Sequence, residues 1–148
     1  LTVHASGGVA MVNAAVQAMP DTYITGVTIL TSLSENDVAH IGFKFAALEA
    51  ATGLAKVAIA GGAKAIVCSP LEISAVRTAI GDEPIIITPG VRPLDMVGTD
   101  DQQRTMTPEA AIAAGANLVV IGRPITQSWA QGAQALKERA QEIGSRLI

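Results

Sequence analysis

The sequence predicts an α/β fold built from about five parallel β/α units in one domain over residues 1–148. Short runs of β-branched residues alternate with longer segments whose apolar residues recur at helical spacing. The strand-like runs are apolar throughout, which is typical of parallel strands covered by helices. No linker or low-complexity stretch divides the chain. A doubly wound sheet and a barrel both fit this pattern.

The first half of the chain contains two predicted strands, over residues 1–5 and 24–31. Ser34 and Asp37 have the spacing of a capping box and predict a short helix after the second strand. An alanine-rich helix is predicted over residues 45–59 because glycines follow it. The helix between the two strands has an apolar stripe formed by Val9, Val12, Val16 and Met19.

A third strand is predicted over residues 65–68, and a helix follows it directly. Ser69 can cap this helix, Pro70 suits its first position, and Glu72 completes a capping box. Gly81 provides the left-handed residue that ends it. The apolar stripe of this helix is formed by Ile73, Val76 and Ile80, with the stem of Arg77 alongside.

The last two units begin with a strand after Pro84 and a strand over residues 117–121. A polar loop over residues 94–106 and a helix over residues 108–114, capped by Thr107, connect them. We interpret Trp129 as a core residue of the final helix. Its predicted apolar face consists of Trp129, Ala133, Leu136, Ala140, Ile143 and Leu147.

An arginine follows each of these last two strands. Arg92 lies in the turn after the fourth strand, and Gly122-Arg123 begins a short helix after the fifth. Backbone N–H groups and guanidinium groups at such a position bind phosphate. The carboxyl ends of adjacent parallel strands meet at one edge, so we expect a phosphate site there. The amide of Gln102 is expected to close over it from the loop.

Composition excludes several classes of partner. The formal net charge is −3 and the pI is about 5.3, so no basic surface for nucleic acid is predicted. No apolar run reaches the roughly 18 residues of a membrane span. Cys68 is the only cysteine; it excludes an internal disulfide and is expected inside a strand.

Groups that could perform catalysis are scarce at the predicted strand ends. The four lysines are placed in loops, in helices or at the other end of a strand, and the loop carboxylates form no rigid pair. His4 is expected to be a hydrogen-bonded core residue, and two histidines argue against a transition-metal site. The sequence predicts phosphate binding without a reactive group.

Six segments of the chain, in order, resemble the loop sequences of bacterial orotidine 5'-phosphate decarboxylases. The resemblance extends over the whole chain and implies a (β/α)8 TIM barrel, of which this chain supplies roughly strands 4 to 8. The segments are Val3-His4-Ala5-Ser6-Gly7-Gly8, Val27-Thr28-Ile29-Leu30-Thr31-Ser32, Val67-Cys68-Ser69-Pro70, Thr88-Pro89-Gly90-Val91-Arg92-Pro93, Asp101-Gln102-Gln103-Arg104 and Val120-Ile121-Gly122-Arg123-Pro124-Ile125-Thr126.

By this resemblance, phosphate-binding positions of the family correspond to Arg92, Gln102, Gly122 and Arg123. Thr31 and Ser32 correspond to the turn that contacts the pyrimidine, and Pro89 is counted with the substrate-binding residues. The resemblance also implies a cytoplasmic homodimer that converts orotidine 5'-phosphate to uridine 5'-phosphate in pyrimidine biosynthesis, without metal or organic cofactor.

The family's catalytic Asp-x-Lys-x-x-Asp array does not occur in this sequence. We therefore expect no catalytic residue in this chain and no activity from the chain alone. The chain begins at Leu1, inside a strand-like run, which suggests that sequence precedes it. Alternatives are a related sugar-phosphate decarboxylase or epimerase, and a non-catalytic nucleotide-binding module.

Overall fold

A computed structural model of the chain describes residues 1–96 and 104–147, and in it five parallel strands form one sheet. Their order in the sheet is their order in the sequence, as expected for consecutive β/α units. The predicted parallel α/β fold is confirmed. The strands are β1 (Thr2–His4), β2 (Thr25–Val27), β3 (Ala65–Val67), β4 (Ile85–Thr88) and β5 (Leu118–Val119).

The strands are shorter than predicted, most clearly at β2. Strand character was expected over residues 24–31, but regular pairing ends at Val27. Thr28 still donates its backbone amide to the carbonyl of Val67 at 3.0 Å. Residues 28–34 are in neither a strand nor a helix, so Ile29 and Leu30 belong to a loop and not to a strand.

Helices follow each strand, and three predicted capping residues are confirmed. The capping boxes of Ser34 with Asp37 and of Ser69 with Glu72 are both formed, and Thr107 accepts a hydrogen bond from the amide of Ala110. The helices are α1 (Gly8–Ala18), α2 (Glu35–His40), α3 (Ala47–Ala60), α4 (Ile73–Ile80), α5 (Pro108–Ala113), α6 (Arg123–Thr126) and α7 (Ala133–Ser145). Short 3-10 turns occur at Ala5–Gly7, Pro70–Glu72, Leu94–Met96 and Gln127–Gln131.

The final helix differs from the prediction. Gly132, with a φ of 102°, separates the 3-10 turn at Gln127–Gln131 from α7. Trp129 lies in that turn and is 63% exposed, so its interpretation as a core residue is wrong. The helical spacing from Trp129 to Ala133 does not place both on one apolar face, because the chain is not one continuous helix there. Ile143 is buried as predicted.

One face of the sheet packs against the helices. Gly26, Ile66 and Ile86 are paired across β2, β3 and β4 and lie on this face. Ile66 and Ile86 are fully buried in a core shared with α3 and α4. A Cβ at Gly26 would lie against the Cβ of Ala58 in α3. The absence of a side chain at Gly26 therefore sets how closely α3 approaches the sheet.

The opposite face of the sheet is apolar but only partly covered. Val27, Val67 and Ile87 are half-buried on it, and Leu118 is exposed. In a β/α barrel this face is the packed interior. His4 lies on the same face of β1 and is exposed, so the expectation that it is a core residue is wrong. Within the described ranges, no helix is long and apolar enough to cross a membrane.

Replacing Gly26 by alanine is expected to destabilise the fold. The added methyl group meets a short side chain on a helix, which cannot move aside without shifting the backbone. Overpacking of this kind costs about 1–3 kcal/mol. Denaturant unfolding measures the loss, and Gly53→Ala, where the added Cβ meets nothing within 4 Å, is the control that should show no such loss.

Cys68 is expected to react slowly with thiol reagents in the folded protein. Burial, with a smaller contribution from the negative charge of Glu72, raises the pKa of the Cys68 thiol to about 12. Because the thiolate is the reactive form, almost none is present at pH 8. Ellman's reagent should label the protein quickly only after unfolding; rapid labelling of the native protein would show that Cys68 is not buried as described.

Candidate functional site

The turns that carry the two predicted phosphate-binding arginines start side by side. Strands β4 and β5 are parallel neighbours, and the amide of Val120 donates to the carbonyl of Thr88 at 2.9 Å. Arg92 follows Thr88 by four residues, and Arg123 follows Val120 by three. The structure therefore brings the two turns to the same edge of the sheet.

The turn after β4 is held closely by its neighbours. Gly90 adopts a φ of 77°, which residues with a side chain rarely adopt. A Cβ at Gly90 would lie 3.2 Å from the Cγ2 of Thr31 and 3.3 Å from the carbonyl oxygen of Arg104. Arg92 is 5% exposed and donates Nη1 to the carbonyl of Val91 at 2.8 Å. These contacts fix the backbone of the turn that carries Arg92.

Through these contacts, the turn predicted to contact the pyrimidine lies beside the turn that carries Arg92. Thr31 and Ser32 lie in the turn after β2, four and five residues beyond its last residue. Thr31 is buried beside Gly90, whereas Ser32 is exposed. Pro89 is half-buried at the start of the phosphate turn. Gln102 lies outside the described residues.

The turn after β5 leads directly into α6. Gly122 is the N-cap of this helix, and its carbonyl accepts from the amides of Ile125 and Thr126 at 2.9 and 3.0 Å. Gly122 and Arg123 are exposed, whereas Pro124 is buried. A buried proline at the first turn fixes the start of the helix and leaves the neighbouring residues accessible to a ligand.

A buried ion pair joins the segments that follow β2 and β3. The sequence did not predict it. Glu72 is 1% exposed and pairs with Arg104, which is 9% exposed. Arg104 also donates Nη2 to the carbonyl of Leu30 at 2.7 Å, and Glu72 accepts from the amide of Ser69 at 2.9 Å. The sequence identified Glu72 only as part of a capping box, and nothing in its spacing from Arg104 indicated a pair.

Another arginine, Arg139 on α7, links the segment that follows Arg92 to the segment that follows Arg123. It donates Nη2 to the carboxylate of Asp95 at 2.7 Å and Nε to the carbonyl of Pro124 at 3.3 Å. The hydrogen bond from Arg139 lowers the pKa of Asp95. Asp95 follows the turn of Arg92, and Pro124 follows Arg123. The sequence did not predict this contact either, because Arg139 and Asp95 are far apart in the chain.

Comparison with known proteins places the chain in a family. The sequence model described as "Orotidine 5'-phosphate decarboxylase / HUMPS family" matches residues 1–138. The chain belongs to this family. A protein of Thermobifida fusca named orotidine 5'-phosphate decarboxylase is 52% identical over 98% of this chain. One of Frankia casuarinae with the same name is 48% identical over 85% of it.

Solved structures agree with this assignment. The crystal structure of orotidine 5'-phosphate decarboxylase from Lactobacillus acidophilus superposes with a TM-score of 0.79 at 31% identity and covers 99% of this chain. The chain spans 62% of that structure, 63% of the T. fusca protein and 46% of the F. casuarinae protein. Its five parallel β/α units are part of the TIM barrel of orotidine 5'-phosphate decarboxylases, as the resemblance implied.

Within this family fold, the groups at the carboxyl edge of the chain are suited to binding. The four lysines occupy a turn, two helices and the residue before β3, and none follows the carboxyl end of a strand. Hydroxyl and guanidinium groups, such as those of Thr31, Ser32 and Arg123, are present there instead. Guanidinium and backbone N–H groups of this kind form charge-assisted hydrogen bonds with phosphate, and no lysine lies among them in the described ranges.

Proposed function

We propose that the intact protein decarboxylates orotidine 5'-phosphate to uridine 5'-phosphate in pyrimidine biosynthesis, as a carbon-carbon lyase. The observation that carries this proposal is the family match over residues 1–138. Two features of the structure support it: arginine-bearing turns on the neighbouring strands β4 and β5, and a second turn packed beside the first of them.

In this proposal the nucleotide lies across the carboxyl edge of the sheet. Its phosphate is bound by the guanidinium groups of Arg92 and Arg123, by the backbone at Gly122 and by the amide of Gln102. Two positive groups at one phosphate give charge-assisted hydrogen bonds, which are about twice as strong as neutral ones. The pyrimidine is contacted from the turns that contain Thr31, Ser32 and Pro89.

The chain contributes binding energy to the reaction, while the reacting groups come from sequence that it does not contain. The Asp-x-Lys-x-x-Asp array of the family is absent from these 148 residues. Phosphate binding far from the breaking bond lowers the barrier when the interaction is used in the transition state. We therefore propose that the chain alone has no decarboxylase activity. The resemblance implies no metal and no organic cofactor for the reaction.

The direct test is turnover of orotidine 5'-phosphate by the full-length gene product, followed by loss of substrate absorbance. Release of carbon dioxide with formation of uridine 5'-phosphate is the expected result, and the 148-residue chain should show none. Competition between uridine 5'-phosphate and ribulose 5-phosphate separates the main alternative, a sugar-phosphate enzyme. Tighter binding of ribulose 5-phosphate, or nucleotide affinity without any turnover by the full-length product, would contradict the proposal.

We also propose that the intact protein is a cytoplasmic homodimer, as the resemblance implies. Exposed apolar side chains, including Ile41 and Phe45, are the kind of surface that protein interfaces use. Light scattering coupled to size-exclusion chromatography of the full-length product measures its mass. A mass of one subunit at micromolar concentration would contradict the dimer.

A further inference from the structure

Arg104 is a buried arginine to which the proposed function assigns no part. Its guanidinium group pairs with Glu72, which follows β3, and with the carbonyl of Leu30, which follows β2. One planar group therefore joins the carboxyl ends of two neighbouring strands. Arginine is suited to this because its donors form a rigid fork that can serve two acceptors at once.

The backbone of residues 104–106 contacts the turn that carries Arg92 and holds it in place. The amide of Arg92 donates to the carbonyl of Met106 at 2.9 Å, and Val91 and Met106 form a parallel bridge. The carbonyl oxygen of Arg104 lies 3.3 Å from the position of a Cβ at Gly90. The position of the turn that carries Arg92 therefore depends on the position of residues 104–106. The Arg104 side chain fixes these residues to the segments that follow β2 and β3.

A gain in folding free energy is not needed to explain this pair. Burial raises the pKa of Glu72 even though Arg104 opposes the shift, so removal of the carboxylate from water is not fully compensated. Buried ion pairs often contribute no more than an apolar pair of the same volume. A requirement for fixed geometry explains the pair better than a gain in folding free energy.

We propose that Arg104 is a positioning residue that, with Glu72, fixes the turn bearing Arg92 relative to the turn bearing Thr31. The site then holds a phosphate and a pyrimidine at one separation, which selects a pyrimidine nucleoside monophosphate over the nucleoside. This inference rests on the proposed function, because it takes its ligand from it. Arg104 acts through the backbone of Arg92 and does not touch the ligand.

The test compares uridine 5'-phosphate and uridine by calorimetry on the full-length gene product. The double variant Glu72→Gln/Arg104→Met removes both charges and retains an acceptor for the amide of Ser69. We expect its Kd for uridine 5'-phosphate to rise roughly 10- to 100-fold, as a displacement of about 1 Å would produce. Its Kd for uridine should change less than twofold. Arg146→Met, which removes an exposed arginine at the C-cap of α7, is the control that should change neither.

Three results would overturn the inference. Unchanged affinity for uridine 5'-phosphate in the folded double variant shows that the pair positions nothing, and an equal loss for both ligands shows a general structural effect. If the wild-type protein binds no uridine 5'-phosphate, the proposed function fails and the inference fails with it, a result that is recognised before any variant is made. If the double variant does not fold, Glu72→Gln alone replaces it and should show the same selective loss.

Discussion

Replacing Arg123 by alanine should weaken uridine 5'-phosphate binding by roughly two orders of magnitude and leave uridine binding unchanged. Arg123 is exposed at the start of α6, so its truncation should not impair folding. Loss of a charged partner of a bound phosphate costs about 2–5 kcal/mol, and every 1.4 kcal/mol is about a tenfold change in Kd. Titration calorimetry of the full-length product with both ligands measures the difference.

The matched control is Lys64→Ala. Lys64 is an exposed cation that precedes β3, at the end of the sheet away from the proposed site. Lys64→Ala removes the same formal charge as Arg123→Ala but leaves the turns of Arg92 and Arg123 unchanged. A similar loss of affinity in both variants would indicate a general electrostatic effect. An equal loss of uridine and uridine 5'-phosphate affinity in Arg123→Ala would remove Arg123 from the phosphate site.

Replacing Arg104 by methionine should destabilise the protein by about 3–5 kcal/mol at neutral pH, because it leaves the carboxylate of Glu72 buried without a partner. Restoring neutrality with Glu72→Gln in the same protein should recover most of this loss. Denaturant unfolding of the two variants and the wild-type protein measures both effects. Equal stability of all three proteins would contradict the burial of this pair.

The loss should also depend on pH in a defined direction. Burial already raises the pKa of Glu72 above its ordinary value of 4.5, and removal of Arg104 takes away an opposing contribution. Well below pH 4.5 the carboxyl group is protonated in both the folded and the unfolded state, so the penalty is small there. The penalty grows as pH rises from that value through the folded-state pKa, because only the unfolded chain can ionise freely.

The sequence predicted the parallel arrangement of the strands and the start of two arginine-bearing turns at one edge of the sheet. Both follow from local signals: continuous β-branched runs at β4 and β5, and capping residues such as Ser69 and Thr107 that show where helices begin. Those signals depend on residues close together in the chain, so they can be recognised in one sequence.

The contacts that were missed join residues distant in sequence. Arg104 and Glu72 are 32 positions apart, and Arg139 and Asp95 are 44 apart. No spacing rule connects them, because their pairing depends on how the units pack. Trp129 and His4 were misplaced for a related reason. A local apolar or strand-like pattern does not show which side of an element other parts of the fold will cover.

We propose above that the turns after β4 and β5 bind one phosphate group between Arg92 and Arg123. The most direct measurement is a crystal structure of the full-length gene product with uridine 5'-phosphate. We expect both guanidinium groups to lie within about 3.2 Å of phosphate oxygens, with the pyrimidine towards the turn of Thr31. A phosphate bound elsewhere, or contacted by neither arginine, would contradict it.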